Sequence, residues 1–178
     1  DRYIVCAQIE DKQFFLNATN PNRPYTLPAL HDLSYAGFAL QPSGGGWINI
    51  DNTYQSKQQI SVGARIQEDG EVSGKVSQQL SGYMAVDFRS LFEQVPEDEF
   101  WKMFKNESDV DTEMSNTIVN HIDNPDEPLE LAYKFQSSDF TQVAGEFIYL
   151  DPFMNMINRD NPFLDSERTF PIEMGSVS

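Results

Sequence analysis

The stretch QISVGARIQEDGEVSGKVSQQL, residues 59–80, decides the fold. Apolar and polar residues alternate along its first half, which is the pattern of a β-strand with one buried face. Asp69-Gly70 follows, and such a pair is typical of a type I′ turn because both central residues of that turn need a positive φ. Residues 72–80 then return as a second strand. The stretch therefore predicts an antiparallel hairpin whose alternating apolar residues are Ile60, Val62, Ala64 and Ile66.

A helical period begins directly after this hairpin. Apolar residues recur every three or four positions, whereas Asp87, Arg89 and Glu93 fall on other faces. Pro96 ends that period and suits the first turn of a second helix, where the acidic residues that follow complement the helix dipole. The predicted elements are helices near residues 83–95 and 97–105, with buried sides formed by Met84, Phe88, Leu91, Phe92 and Val95 and by Phe100, Trp101 and Phe104.

The rest of the chain is rich in β-forming residues separated by turn signals. NPDEP at 124–128 predicts a turn between two strands, and DPF at 151–153 and NPF at 161–163 interrupt the chain before its last strand. The predicted strands are residues 3–9, 13–16, 47–50, 117–122, 129–135, 146–150 and 168–174.

Residues 17–46 are predicted to form a long irregular segment, because four prolines and four glycines interrupt them. The glycine run at 43–46 has no following lysine and precedes a strand, so it is a flexible turn and not a phosphate-binding loop. The whole chain is predicted to be mainly β (α+β), an antiparallel β-sandwich-like domain with an inserted helical pair. A boundary near residues 51–56 separates an opening segment, 1–50, from the β-rich domain, 51–178.

The charge of the chain limits its partners. Its 178 residues include 28 acidic and 12 basic ones, which gives a net charge of −16 and an isoelectric point near 4.2. Nucleic acids and anionic membranes are bound through clusters of Lys and Arg, so neither is a predicted partner. No stretch approaches the ~20 apolar residues of a membrane span, and no membrane insertion is predicted.

Cys6 is the single cysteine, which rules out an internal disulfide and a cysteine-rich zinc site. It lies inside a predicted strand and is expected to be a buried, inert thiol, since reactive cysteines favour helix N-termini. His31 lies in the irregular segment and His121 in a predicted strand. Neither has a metal-ligating neighbour at helical spacing. A Cys6–His31 dyad stays open, although no pattern supports it.

Asp109, Asp111 and Glu113 alternate along an acidic stretch and are weak candidates for a Ca²⁺ site. The stretch lacks the glycine at the sixth position and the terminal bidentate glutamate of an EF-hand loop. A solvated acidic connection is therefore the expected role of these residues. The sequence predicts no metal and no cofactor.

FFLNATNPNRPY, residues 14–25, runs from a strand into a loop at Asn17. The Asn17 amide can fold onto the nearby backbone, and Pro21 and Pro24 cannot continue a strand ladder. An amide at a strand end can also orient a catalytic histidine. The residues around Asn17 leave both roles open.

YIVCAQIEDKQFFLNATNP, residues 3–21, resembles the closing strands of bacterial transglutaminase-like (cysteine protease-like) cores. In that family a Leu-Asp-Ala-Thr motif ends a strand, and here the motif stands as Leu16-Asn17-Ala18-Thr19. The domain that follows such cores is similar to further stretches of this chain. Those stretches are SGYMAVDFRSLF at 81–92, FIYLDPF at 147–153, NPF at 161–163 and ERTFPIEMG at 167–175.

The resemblance implies an altered catalytic centre. Asn17 takes the position of the family's orienting Asp, and the family's His would fall near Arg2 or Tyr3, which cannot replace an imidazole. The family's nucleophilic Cys lies upstream of these strands, so Cys6 does not match it. The chain also starts without a signal peptide or initiator Met and is expected to be cut from a longer one.

These implications favour a non-catalytic C-terminal module of a periplasmic or extracellular protein, which supports structure or contacts a partner or substrate. One alternative is a part of an active cysteine peptidase or transglutaminase-like enzyme whose nucleophile lies upstream. Another is an independent calcium- or glycan-binding β-sandwich. The expected partners are the rest of the parent protein, a peptide or a glycan. Phe38, Trp47 and Tyr54 could line a groove, although core packing is favoured.

Overall fold

The computed structural model describes residues 3–33, 36–50, 54–106 and 112–154. It confirms a mainly β chain with antiparallel sheets and two helices. The strands are β1 Val5–Ile9, β2 Lys12–Leu16, β3 Ala36–Gln41, β4 Gly44–Asn49, β5 Lys57–Ile66, β6 Val72–Ser81, β7 Glu113–Asn120, β8 Leu129–Ser137, β9 Thr141–Ala144 and β10 Phe147–Leu150, the helices are α1 Tyr83–Gln94 and α2 Glu97–Asn106, and a 3₁₀ turn spans Leu30–Asp32.

The predicted hairpin of residues 59–80 is confirmed as β5 and β6, which pair from Lys57↔Ser81 to Ile66↔Val72. The prediction of a type I′ turn is wrong, because Gly70 has a φ of +90° whereas Asp69 has no positive φ. The Asp69 carboxylate instead accepts a hydrogen bond from the backbone N–H of Glu71 at 3.0 Å. This local bond favours a longer loop in which glycine alone takes the left-handed conformation.

β5 and β6 belong to a four-stranded sheet of order β5-β6-β8-β7. Side chains of β6 and β8 alternate between buried and exposed, so one face of these strands enters the core. Both helices cover that face, and their predicted apolar sides are confirmed as part of the core. The core includes Val72, Val76, Leu80, Leu129, Leu131 and Phe135 from the sheet and Phe100 and Trp101 from α2.

Among the described strands, three further antiparallel hairpins contain two strands each: β1-β2, β3-β4 and β9-β10. The prediction that residues 17–46 are irregular throughout is wrong, since β3 and the start of β4 lie in this range. The glycine run is part of strand β4 and not a turn. β9 was not predicted. The predicted strand 168–174 and the NPF signal at 161–163 lie outside the described residues.

The Arg89 side chain lies in a different environment from the predicted one. The helical pattern placed it on a polar face, but only 1% of its surface is exposed. Its Nε donates to the carbonyl oxygen of His121 at 3.2 Å. Its Nη2 donates to the carbonyl oxygens of His121 at 3.0 Å, Asn124 at 2.9 Å and Glu127 at 2.7 Å. A buried cation is tolerated here because backbone dipoles surround it.

The turn between β7 and β8 is shaped around these bonds. The predicted strand 117–122 ends instead at Asn120, and His121 has a φ of +60°. A strand conformation at His121 is lost because the turn directs three carbonyl oxygens to one guanidinium. The turn predicted at 124–128 is confirmed by the hydrogen bond from the Glu127 N–H to the Asn124 carbonyl oxygen at 3.3 Å.

Residues 20–33 pack on the outer side of α1. Leu27 forms a small buried cluster with Tyr83 and Val86. The Tyr83 hydroxyl donates to the Pro28 carbonyl oxygen at 2.8 Å, and the Asn22 amide donates to the Glu93 carboxylate at 2.8 Å. These contacts cross the predicted boundary near residues 51–56, so part of the opening segment is attached to the helical layer.

Replacing Arg89 by leucine should lower the free energy of unfolding by about 3 kcal/mol, because it removes the charged side chain that donates four hydrogen bonds to the β7-β8 turn. Chemical denaturation of the Arg89→Leu variant measures this loss. The matched control is Arg65→Leu on edge strand β5, which is exposed and should cost below about 0.5 kcal/mol. Equal losses in both variants would contradict the anchoring role of Arg89.

Burial raises the pKa of Tyr83 from 10.0 to about 12. The nearby Tyr54 adds to this shift, and the positive charge of Arg23 partly opposes it. Unfolding exposes the phenol, so this contribution to stability is complete below pH 10 and is lost between about pH 10 and 12. The Tyr83→Phe variant should lose about 1 kcal/mol at neutral pH with its hydrogen bond, and should lack this part of the alkaline decline. Denaturation curves across this pH range test the difference. The exposed control Tyr149→Phe should follow the unsubstituted protein.

Candidate functional site

Asn17 lies directly after β2 and organises the loop that follows. Its side-chain oxygen accepts a hydrogen bond from the Thr19 N–H at 3.0 Å, so the predicted turn at this residue is present. Its side-chain amide donates to the Asp32 carboxylate, and its carbonyl oxygen accepts from Arg23 at 2.7 Å. These contacts hold both ends of the loop together. The equivalence of Asn17 with an orienting Asp stays a prediction.

Asp32 links Asn17 to a histidine. Its side chain is buried, and its Oδ1 lies 3.4 Å from Nε2 of His31, whose side chain is half exposed. An acid beside an imidazole can orient the ring, as in a catalytic triad. A nucleophile must still lie within hydrogen-bond reach of that ring. In the described part of the chain, His31 has no such bond to Cys6.

The expected burial of Cys6 is wrong. The residue lies in a strand as predicted, in β1 opposite Phe15, but its thiol is exposed. β1 pairs with β2 alone among the described strands, so no second layer of a sheet covers Cys6. Neither His31 nor His121 donates to or accepts from this sulfur in the described residues. An exposed thiol without an imidazole partner lacks the base that activates a cysteine nucleophile.

His121 serves the turn rather than a reactive centre. Its Nδ1 lies 3.0 Å from the carbonyl oxygen of Pro128, and its own carbonyl oxygen accepts from Arg89. Of the weak calcium candidates, Asp109 and Asp111 lie outside the described residues, and Glu113 is exposed at the start of β7. Among the residues that the structure describes, no three His, Cys, Asp or Glu side chains are placed to hold a metal ion.

The β3-β4 hairpin presents apolar side chains to solvent. Phe38 and Trp47 are directly opposite in the register, and their rings meet edge to face at 5.4 Å between centroids. Leu40 follows on the same face by strand alternation. The exposed fractions are 55% for Phe38, 79% for Leu40 and 76% for Trp47. Core packing of Phe38 and Trp47 is therefore a wrong prediction, whereas Tyr54 does pack on the Leu27 cluster. We call Phe38, Leu40 and Trp47 the hairpin patch.

A cavity of about 310 Å³ lies where the loop after β2, the start of α1 and the β7-β8 turn meet. Its lining includes Leu27, Tyr54, Ala85 and Arg89, together with the acidic residues Asp126 and Glu127. Apolar walls with a few polar groups are typical of small-molecule sites, and this volume is at their lower limit. Burial lowers the pKa of Arg89, because the charged guanidinium loses hydration.

Gly82 positions the start of α1 at this cavity. It has a φ of +70°, and a Cβ at this position would lie 2.7 Å from the carbonyl oxygen of Gln55. Glycine is therefore required for the chain to turn from β6 into the helix. Glycine has no side chain that could cap the helix. Instead, the Ser56 Oγ accepts a hydrogen bond from the Met84 N–H at 3.3 Å.

Comparison with protein-family models, with curated proteins and with solved structures finds no match for this chain. In the described ranges, no helix has the length and apolar character that crossing a membrane requires. The resemblance to transglutaminase-like proteins accordingly stays a prediction based on the motifs quoted above.

The sequence did not predict Arg89 or the β7-β8 turn as parts of a cavity. A polar residue within an apolar helical period was the available signal for Arg89. Its burial depends on three carbonyl oxygens that lie 32 to 38 residues further along the chain. No side-chain pattern marks such acceptors.

Cys6 should react with a thiol-specific aromatic disulfide in the folded protein, because its side chain is exposed. We expect one thiol per chain to react under native conditions, at a rate that denaturant changes little. Absorbance of the released thiolate measures both quantities. Reaction only after unfolding would contradict the exposed position. The Cys6→Ser variant controls for non-specific reaction and should change stability by less than about 0.5 kcal/mol.

Proposed function

We propose that this chain is a non-catalytic binding module that contacts an extended polypeptide through the hairpin patch. The observation that carries the proposal is the solvent exposure of Phe38, Leu40 and Trp47 on one face of a two-stranded hairpin. A few residues carry most of the binding energy in protein interfaces, and tryptophan is prominent among them. In line with the resemblance, the parent would be a transglutaminase-like envelope protein.

The backbone of the hairpin supports an extended ligand. Within the described sheet, β3 and β4 pair with each other alone, which leaves one edge of each strand available for a further strand. An added peptide strand would gain backbone hydrogen bonds at this edge and place alternate side chains on the hairpin patch. A two-stranded hairpin is only marginally stable by itself, so a third strand would also stabilise it.

Charge favours a cationic peptide. The net charge of −16 creates a negative field around the chain, which accelerates encounter with positive partners and disfavours acidic ones. Apolar residues at every second position would meet the hairpin patch, and Lys or Arg between them would face solvent or the acidic surface. A polypeptide of this pattern could belong to the parent protein or to a separate partner.

An enzymatic role is the second candidate, and the Asn17–Asp32–His31 arrangement favours it. The Asp32 carboxylate accepts from Asn17 and lies beside His31, which gives an imidazole with an orienting acid. On this view the nucleophile would come from upstream of the chain, as the resemblance implies. The binding module is preferred because it needs no residue from outside the described chain.

A decapeptide of alternating Lys and Val should bind the chain and shift the Trp47 emission to shorter wavelength, because the indole leaves water. A decapeptide of alternating Glu and Val should bind at least about tenfold more weakly, as charge complementarity requires. N-methylation of alternate backbone nitrogens should abolish binding by removing the edge hydrogen bonds. Fluorescence titration measures all three affinities.

The Trp47→Ser variant should bind the Lys-Val peptide about tenfold more weakly, as for a central interface residue, with binding followed by anisotropy of a labelled peptide. The matched control is Phe147→Ser, which removes a similarly exposed aromatic ring from the β9-β10 hairpin and should leave affinity unchanged. Equal effects of both substitutions would contradict a specific role of the hairpin patch. Preference for a chitin or cellulose oligosaccharide over every peptide would replace the proposal with glycan binding.

A further inference from the structure

We propose that the cavity above Arg89 binds a free α-amino acid with an apolar side chain, through its carboxylate and its ammonium group. This site is separate from the hairpin patch and does not depend on the proposed function. Three features of the described structure carry the inference: an incompletely bonded guanidinium, two acidic residues in the lining of the cavity and apolar walls of matching size.

The guanidinium of Arg89 has donors to spare. An arginine has five N–H donors, and its Nε and Nη2 already point to carbonyl oxygens of the β7-β8 turn. Nη1 has no hydrogen-bond partner among the described residues, and no carboxylate there forms an ion pair with Arg89. The Nη1 N–H groups are not fully buried, so they can donate to a bound acceptor in place of water. A carboxylate supplies both the acceptor atoms and the opposite charge.

The four existing bonds also make Arg89 suitable as a receptor group. They hold the planar guanidinium in one orientation against the turn, so a ligand need not immobilise a flexible side chain. Binding to a preorganised group avoids an entropic cost that would otherwise reduce affinity. The start of α1 adds a favourable dipole, because Gly82 and Ala85 line the same cavity and the positive end of the helix faces it.

Asp126 and Glu127 determine which class of carboxylate ligand the cavity favours. Both line the cavity, so an anion that carries only negative charge would be repelled by them. An α-amino acid places an ammonium group one carbon away from its carboxylate. The ammonium can meet Asp126 or Glu127 while the carboxylate meets Arg89. The arrangement of charges therefore favours a zwitterion over a simple acid.

The remaining lining selects the side chain of the ligand. Leu27, Ala85 and the ring of Tyr54 are apolar, and Pro24, Pro125 and Pro128 add apolar surface. A cavity of about 310 Å³ accepts a molecule of amino-acid size and excludes a folded peptide. L-leucine and L-phenylalanine are therefore the expected ligands. A peptide C-terminus shares the carboxylate but lacks the adjacent ammonium, and should bind less well.

Calorimetric titration of the intact chain with L-leucine and L-phenylalanine tests the site, with L-leucinamide and N-acetyl-L-leucine as matched probes. At least one amino acid should bind with a Kd below about 1 mM. Removing either charge of leucine, by amidation or by acetylation, should weaken binding about tenfold. In NMR spectra, the Arg89 Nε–H resonance should shift on addition of leucine and not on addition of leucinamide.

The Asp126→Asn, Glu127→Gln double variant should weaken leucine binding about tenfold and leave the affinity for N-acetyl-L-leucine unchanged or higher. Both side chains are exposed, so this variant should keep the stability that an Arg89 variant would lose. Asp123→Asn removes a charge from the same turn outside the cavity and should have no effect. The proposal is overturned if neither amino acid binds at about 10 mM. It is also overturned if N-acetyl-L-leucine binds as well as leucine, which would indicate a site for peptide C-termini or other acids.

Discussion

The guanidinium of Arg89 joins the helical layer to the β7-β8 turn, and the arrangement of the molecule around α1 depends on this contact. The carbonyl oxygens of His121 and Asn124 each accept one bond from the backbone of the turn, and both of them and the Glu127 carbonyl oxygen also accept bonds from side-chain donors. One side chain from α1 supplies those donors at 2.7 to 3.2 Å. Such a buried charge is stabilised only when its surroundings are fixed. The turn, the helix and the cavity between them therefore form one unit.

Elements with a strong period could be predicted from the sequence, because their periodicity reflects a core that does cover one face. β6 and both helices belong to this class. β5 is exposed apart from the half-buried Ile60, and it is held by its pairing with β6. The role of Pro96 at the start of α2 follows from local chemistry. The position of Arg89 could not be predicted in this way. A polar residue on an apolar helix is normally solvated, and the exception here depends on backbone atoms that carry no sequence signal.

The exposed hairpins show what the residue pattern of a strand cannot predict. An alternating or apolar strand indicates that a side chain can be buried, but it does not indicate whether a second layer exists to bury it. Cys6 and Trp47 lie in strands that pair once among the described residues, so both are exposed. In the β3-β4 hairpin, Phe38 lies over Gly45, where a Cβ would lie 2.6 Å from its ring. One of the glycines that suggested a loop therefore makes room for an aromatic ring in a strand.

Aromatic residues thus serve two physical purposes in different parts of the chain. Around α2 the rings of Phe100, Trp101 and Phe104 contact one another, and those of Trp101 and Phe104 also contact Tyr133. This packing fixes α2 on the sheet. In the hairpin patch the aromatic rings remain exposed to solvent.

Charged residues also differ between the surface and the interior. Acidic residues dominate the exposed surface, whereas carbonyl dipoles rather than a carboxylate compensate Arg89. Its positive charge is therefore not cancelled by an ion pair among the described residues, and a strongly negative chain keeps a cationic group in the wall of the cavity at the start of α1.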